Sequence, residues 1–235
     1  MPKILRCRVV EIQDHGGQLY SIFLKPESPA PPFLPGQYLN LAMDDYSPGG
    51  AWPESRAFSI ASAPAERSLL RITYAVKGQF SARMEAGLRL GTPVWVNMPF
   101  GEFTINPSRN ACLLAGGTGV TAFTAFLAGL SAAYPHHIHL FYGARRPGHL
   151  VYRPLVQAVT LRCPGLRVHY FAEQDFEGTD CQPGRIDVET VFGTVPEPLA
   201  LAYYLAGPQE MIRALTRALT QRGLPPGQVI AEAWG

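Results

Sequence analysis

The chain has 235 residues, 47% of them hydrophobic and 16% charged. That is enough apolar material for one large or two small domains, and too little charge, against roughly 25% on average, for long solvated helices or coiled coils. A formal net charge of +2 supplies no dominant field to recruit nucleic acid or an anionic membrane.

The first hundred residues read as β structure. Lys3 to Gln13, Gln18 to Lys25, Gln37 to Met43, Arg56 to Ala61, Leu69 to Val76 and Pro93 to Met98 are short β-rich runs. In the fifth, Leu70, Ile72, Tyr74 and Val76 alternate at period two, as a half-buried strand does. Pro- and Gly-rich stretches separate the runs, and only Phe80 to Ala86 looks helical. This pattern predicts a small barrel or sandwich. After a linker at Asn106-Pro107-Ser108-Arg109-Asn110, apolar strand candidates (Ala111 to Ala115, Ile138 to Tyr142, Arg167 to Ala172, Ala202 to Ala206, Gln228 to Ala231) alternate with helical stretches (Val120 to Tyr134, Pro154 to Arg162, Val188 to Phe192, Gln209 to Arg222). Such alternation implies a parallel sheet with helices on both faces and ligands at the carboxyl ends of its strands. Two domains are expected, residues 1–106 and 107–235.

Residues Ala111 to Tyr134 carry no charge and are long enough to span a bilayer. Four glycines interrupt them, so a strand, a glycine turn and a buried helix is the expected reading, with no integral membrane segment. Cys7, Cys112, Cys163 and Cys181 form no C-x-x-C pair, which argues against structural zinc or a cysteine-ligated iron–sulfur cluster in the chain. No signal-peptide pattern opens the chain, so reduced thiols and a cytoplasmic location are expected. Of His136, His137 and His139, the last two share one strand face, but no third ligand at sensible spacing joins them, and no metal site is expected.

Three segments have ligand-type chemistry. Gly116-Gly117-Thr118-Gly119-Val120-Thr121-Ala122 follows an apolar strand and opens a helix. Glycines let phosphate approach the backbone, and the helix N-terminus offers free N–H groups. Gly117, Gly119 and Ala122 fit a G-x-G-x-x-A dinucleotide fingerprint, though a plain glycine turn shows the same residues. Arg56-Ala57-Phe58-Ser59 lies on a predicted barrel strand. Alternation puts Arg56 and Phe58 on one face, a guanidinium for phosphate beside a ring for a flat cofactor. Ser59 joins them only if the strand bends, and the sequence also reads as an ordinary amphipathic strand. Leu205 to Met211 is a further strand–turn–helix, equally readable as a simple helix start.

Together and in this order, these segments resemble the ferredoxin–NADP reductase superfamily of flavoproteins across nearly the whole chain. Its R-x-[YF]-[ST] pattern matches Arg56 to Ser59. Its G-G-T-G-[IV]-x-P element matches Gly116 to Val120, with Ala122 for proline. Its C-G-P-x-x-M element matches Gly207, Pro208 and Met211, with Ala206 for cysteine. Pro35-Gly36-Gln37, Pro99 to Phe103 and Tyr142 to Arg145 are secondary matches.

The resemblance implies an antiparallel Greek-key flavin-binding barrel followed by a Rossmann-like, parallel-sheet nucleotide-binding domain. It implies FAD and NAD(P)H as cofactors, and hydride transfer from nicotinamide to flavin. Arg56 would contact the flavin phosphate, Phe58 the isoalloxazine, and Ser59 the region of N5. Lys77, Gly78 and Ser81 would meet the pyrophosphate, although Gln79 stands where a second glycine is common. Gly116, Gly117, Thr118, Gly119 and Thr121 would grip the dinucleotide phosphates, and Gly207, Pro208 and Met211 would border the nicotinamide. The ending Glu232-Ala233-Trp234-Gly235 resembles the acid–x–aromatic terminus of plant-type members, making Trp234 a flavin lid and Glu232 a polar or proton-relay group. A frayed tail is the other reading. Arg145 and Arg146, ending the second strand, favour a 2′-phosphate, whereas Glu173 and Asp175 after the third strand favour the free ribose, and the resemblance implies that the discriminating group follows the third strand. NADH is therefore expected over NADPH. Electrons would leave to a separate redox protein such as a ferredoxin or oxygenase component. A flavin reductase releasing reduced free flavin is the enzymatic alternative, and a non-catalytic electron-transfer or regulatory subunit the alternative of another class.

Overall fold

The computed structural model of the chain describes residues 1–232. Two compact units divide after Thr104. The first contains β1 (Lys3–Asp14), β2 (Leu19–Pro26), β3 (Tyr38–Ala42), β4 (Ser55–Ser59), β5 (Leu70–Ala75), α1 (Gln79–Gly87) and β6 (Pro93–Phe100). β1 shows why a strand forms here: Leu5, Cys7 and Val9 are buried while Lys3, Arg6 and Arg8 are exposed, the period-two pattern of a sheet with one dry face. The strand order is β4-β3-β6-β1-β2-β5, with every neighbouring pair antiparallel. Hairpins β1–β2 and β3–β4 are joined through the returning strand β6, a Greek-key arrangement. Just past β4, Ala61 N–H donates to Arg71 O of β5 at 2.8 Å, so the sheet nearly closes into a barrel. Leu39, Leu41, Ile72, Val94 and Val96 fill it, with Phe80 and Met84 of α1 in the same cluster.

The second unit contains β7 (Ala111–Gly116), α2 (Thr121–Ala128), β8 (Ile138–Ala144), α3 (Arg153–Arg162), β9 (Leu166–Ala172), β10 (Gln182–Pro183), α4 (Val188–Thr194), β11 (Ala202–Ala206), α5 (Gln209–Gln221) and β12 (Val229–Ala231). All neighbours in its sheet are parallel, in the order β10-β9-β8-β7-β11-β12. β7 and β11 are buried along their whole length, as central strands of a sheet covered on both faces are. One face packs against α4 and α5 through Leu114, Phe141, Leu205, Val191 and Leu215. From β7 the chain steps outward to β10, then returns to the other side of β7 as β11. The order reverses between β7 and β11, and this is where an open α/β sheet leaves a crevice at its carboxyl end.

The charge-free stretch is β7, a glycine turn and α2, whose residues Thr121 to Leu127 are all buried. Among the described residues no helix is long and apolar enough to cross a membrane. α2 stops at Ala128, short of the expected Tyr134. Arg162 of α3 explains the stop: it donates to Ala128 O at 2.7 Å and Leu130 O at 3.0 Å, satisfying carbonyls that a longer helix would use internally. β10 had no counterpart among the expected strands, being too short to show alternation. Cys7, Cys112, Cys163 and Cys181 are free and buried, and burial, followed by the charge of Glu27, pushes the Cys7 thiol up to about 12.

His139 is buried on β8, its ring parallel to that of His169 at a centroid distance of 6.1 Å. His169 in turn stacks on Phe141 at 4.6 Å. Burial, then the neighbouring charges of His169, His137 and Arg167, lowers His139 from 6.5 to about 4. Burial also lowers His169. The unfolded chain therefore binds protons that the folded chain refuses. Stability is full above pH 6.5 and falls as the pH drops toward 4. Replacing His139→Phe keeps the ring and removes the proton site. Between pH 7 and 5 the variant should lose about 2 kcal/mol less than the parent protein, read from urea midpoints at both pH values. Identical losses would exclude His139 as the source.

Candidate functional site

The glycine turn and the end of β11 meet at the reversal of strand order. Residues Gly117–Val120 form a single 3-10 turn leading into α2. A Cβ placed on Gly119 would lie 2.3 Å from Ala206 O and 2.5 Å from Gly207 N, so two stretches of backbone touch where no side chain fits. Met211 and Pro208 of the third segment pack over Gly116, within 2.6 Å and 2.9 Å of where its Cβ would stand. Gly117 is different: it has φ +54° and open space around the same position, a conformation L side chains avoid. Thr121 Oγ1 donates to Thr118 O at 2.7 Å, which ties the turn to the first residue of α2.

A cavity of about 500 Å³ opens on this edge, within the range of small-molecule sites. It brings together six of the expected dinucleotide residues: Gly116, Gly117, Arg145, Glu173, Pro208 and Met211. Thr118, Gly119, Thr121 and Gly207 are not among the lining residues. Residues that sequence reasoning missed complete the wall, notably Arg185, Ile186 and Glu210. Arg185 and Ile186 follow the two-residue strand β10, which carried no detectable pattern. Glu173 and Arg185 are ion-paired, Nε to Oε2 at 2.9 Å. Asp175 is paired with Arg146 at 3.2 Å. Arg145 makes no ion pair among the described residues. Apolar walls with arginines and carboxylates at intervals suit a ligand with flat rings, ribose and phosphate.

In the barrel, Arg56 pairs in register with Leu41 and Phe58 with Leu39, so both face the side of the core leucines. Phe58 is half-buried and meets Tyr74 edge-on at 6.2 Å. The Arg56 guanidinium lies 5.3 Å over the ring of Phe80, at the start of α1. Its Nη1 donates to Ser55 O at 2.9 Å, and its Nη2 is 3.4 Å from Glu54. Glu54 also receives Arg83 at 2.9 Å, and Arg83 reaches Asp44 at 2.8 Å. Ser59, by the same alternation, falls on the other face of β4 from Arg56 and Phe58, and it is buried. The Ser81 hydroxyl is turned back on its own backbone. It accepts from Lys77 N at 2.9 Å and Gly78 N at 3.1 Å, and lies 3.0 Å from Gly78 O. Space beside Gly78 is open, and the first turn of α1 holds no acidic residue. A cation beside an open, uncharged helix start fits a phosphate group. Glu232 is buried, its N–H bonded to Leu205 O at 2.9 Å. Trp234 lies outside the described residues.

Comparison with known proteins agrees with this geometry. Residues 113–217 match the family described as the oxidoreductase NAD-binding domain. The chain is 30% identical over 239 residues to the reductase component of propane 2-monooxygenase from Rhodococcus jostii, covering 96% of this chain and 62% of that protein. It is 28% identical over 243 residues to a flavohemoprotein from Bordetella pertussis, covering 97% and 60% respectively. The flavohem-like FAD/NAD-binding domain of nitric oxide dioxygenase from Vibrio cholerae has the same fold, with a TM-score of 0.81, 19% identity and 98% of both chains covered. Residues 113–217 thus resemble that NAD-binding family, and the chain as a whole shares the fold of the FAD/NAD-binding domain. It spans about 60% of the length of the curated relatives it matches.

Two members of the glycine turn should respond differently to the same change. Gly119→Ala forces a methyl group against backbone atoms that cannot rotate away, and should cost about 3 kcal/mol. Gly117→Ala meets only conformational strain, about 1 kcal/mol. Thermal unfolding of the two variants distinguishes them; equal losses would contradict the contact at Gly119.

Proposed function

We propose that the chain is an NAD(P)H-dependent flavoprotein oxidoreductase, with NADH the favoured donor, FAD the flavin, and a separate redox protein the acceptor. The observation that carries this reading is the cavity at the reversal of strand order, lined by Gly117, Arg145 and Glu173. Its support comes from a family match over the same unit and from the cationic helix start in the barrel. Relatives named as a monooxygenase reductase component and as flavohemoproteins favour an oxygenase component or a haem protein as the acceptor. Four buried, unpaired thiols favour a reducing, cytoplasmic setting.

A bound flavin accepts two electrons as hydride and can release them singly, chemistry no side chain supplies. The chain's own residues bind and orient. Arg56, with the open N-terminus of α1 and Gly78, holds phosphate; Lys77 adds positive charge there. Ser81 acts through its backbone bonds, keeping that helix start in shape. Phe58 offers a ring to pack on a flat cofactor. Gly117 lets a dinucleotide phosphate approach the backbone, and Thr118 and Thr121 hold the turn. Glu173 accepts from ribose hydroxyls, while Arg145 supplies the nearest unpaired positive charge. Pro208 and Met211 border the nicotinamide. Ser59 is assigned as a polar group toward the flavin ring, and Glu232 as a polar or proton-relay group.

Anaerobic stopped-flow mixing with NADH and NADPH tests the reading on protein as purified. Yellow protein that bleaches faster with NADH is the expected result. Colourless protein that oxidises NADH only after free flavin is added would replace it with a flavin reductase. No reaction under either condition would leave a non-catalytic subunit. Arg56→Ala should weaken flavin binding about ten-fold or more, as loss of a charged hydrogen bond does, with the melting temperature nearly unchanged. Glu173→Ala should raise use of NADPH relative to NADH about ten-fold; an unaltered ratio would remove Glu173 from the ribose subsite.

A further inference from the structure

We infer that Arg185 is the positioning residue of the adenosine-ribose subsite: it fixes Glu173 so that one carboxylate oxygen receives the ribose diol, and thereby sets preference for a dinucleotide without a 2′-phosphate. The inference rests on the proposed reading of the cavity as a dinucleotide site. Its basis is how the two residues are held. Glu173 immediately follows β9, and its N–H donates to Ala144 O at 3.3 Å; the next residue, Gln174, donates to Arg145 O at 2.9 Å. The backbone of Glu173 is thereby pinned to the end of β8. On the other side, Pro183 pairs with Ala172, and Gly184 N–H donates to Ala172 O at 2.8 Å. Arg185 is therefore delivered beside Glu173 by the short parallel pairing of β9 and β10, and both line the cavity.

The contact uses the inner nitrogen of the guanidinium, Nε, and one oxygen, Oε2, at 2.9 Å. Among the described residues no side chain or backbone donor is bonded to Oε1. An exposed pair of this kind adds little to stability, and Arg185 has 78% of its side chain exposed. Its effect is geometric: a carboxylate held by one oxygen has its rotation narrowed, and its other oxygen is left to accept from a hydroxyl. A vicinal diol supplies such hydroxyls. A 2′-phosphate at the same place meets a carboxylate, and Arg185, the cation beside it, is already engaged. The second acidic residue after β9, Asp175, is paired with Arg146 at 3.2 Å and does not line the cavity, whereas Glu173 does.

Isothermal titration of the full chain with ADP-ribose and with 2′-phospho-ADP-ribose tests this without flavin turnover. The parent protein should prefer ADP-ribose. Arg185→Ala should weaken ADP-ribose binding about five-fold and raise KM for NADH by a similar factor, with kcat much less affected. Arg185→Lys, which keeps a cation near Oε2, should recover most of the affinity. Because Arg185 acts through Glu173, adding Arg185→Ala to Glu173→Gln should cause no further loss. Unchanged ADP-ribose affinity in Arg185→Ala, or additive losses in the double variant, would overturn the inference. A larger loss for the 2′-phosphorylated probe would overturn it too, making Arg185 a phosphate ligand. If the parent protein binds neither probe, the dinucleotide reading of the cavity fails, and the inference with it. That outcome is distinct from the others, all of which begin from a parent protein that binds.

Discussion

The second unit is organised around one close approach of backbone to backbone. Where strand order reverses, the turn after β7 and the end of β11 come so near that position 119 has no room for a Cβ beside Ala206 O. Everything at the carboxyl edge of the sheet takes its place from that contact. It directs the turn into α2, brings Pro208 and Met211 over Gly116, and leaves Gly117 facing open space. A looser junction would let α2 and α5 drift apart and would enlarge the crevice into a shallow groove. The tight junction instead gives a cavity with walls set by interior packing, which is stiff against small displacements.

Charge around both candidate sites follows a second rule: long cationic side chains are held by nearby carboxylates. Arg185 holds Glu173, Arg146 holds Asp175, and Arg153 meets Asp180 beneath the face of Tyr170. In the barrel, Glu54 stands between Arg56 and Arg83. Such partly exposed pairs contribute about 1 kcal/mol or less each, so they are poor explanations of stability. They explain geometry better. Each removes rotamer freedom from a side chain that would otherwise sweep a wide volume, and so defines where charge sits before any ligand arrives. Arg145 makes no such pair among the described residues.

Much of this was legible in the sequence, because the strands carry their signal locally. Period-two alternation in β1 and β5 and the fully apolar runs of β7 and β11 correspond to one-sided and two-sided burial, so pattern and environment agree. The change from short strands to strand–helix alternation is visible near residue 106, and the two compact units divide after Thr104. What was not legible depends on partners distant in sequence. The end of α2 is decided by Arg162, thirty-four residues beyond Ala128, and no local propensity encodes it. β10 is two residues long, below any period, so Arg185 and Ile186 could not be placed in the cavity wall. The inward turn of the Ser81 hydroxyl is a conformational fact that residue identity leaves open. Even Pro35 to Gln37 and Pro99 to Phe103, matched separately by motif, prove to be a single feature: Gln37 donates to Gly101 O at 3.1 Å, and Tyr38 stacks on Phe100.

The glycine turn shows how a motif should be weighed. Three of its residues fit a phosphate-binding fingerprint, but the fold itself requires glycine at 119 and leaves no room for a side chain at 116. Those two positions would be glycine in a sheet with this junction whether or not a nucleotide binds. Gly117 alone has no protein neighbour to account for it, and it is Gly117 that lines the cavity. The departures can be weighed in the same way. Ala122 is the second residue of α2, a position that accepts alanine as readily as proline, since neither needs an intrahelical donor there. Ala206 is fully buried, and its carbonyl, common to every residue type, makes the contact with the turn. Neither substitution disturbs the junction. The chemical reading of this edge therefore rests on an open backbone at Gly117 and the charges of Arg145, Glu173 and Arg185 around one cavity, rather than on the number of glycines that match.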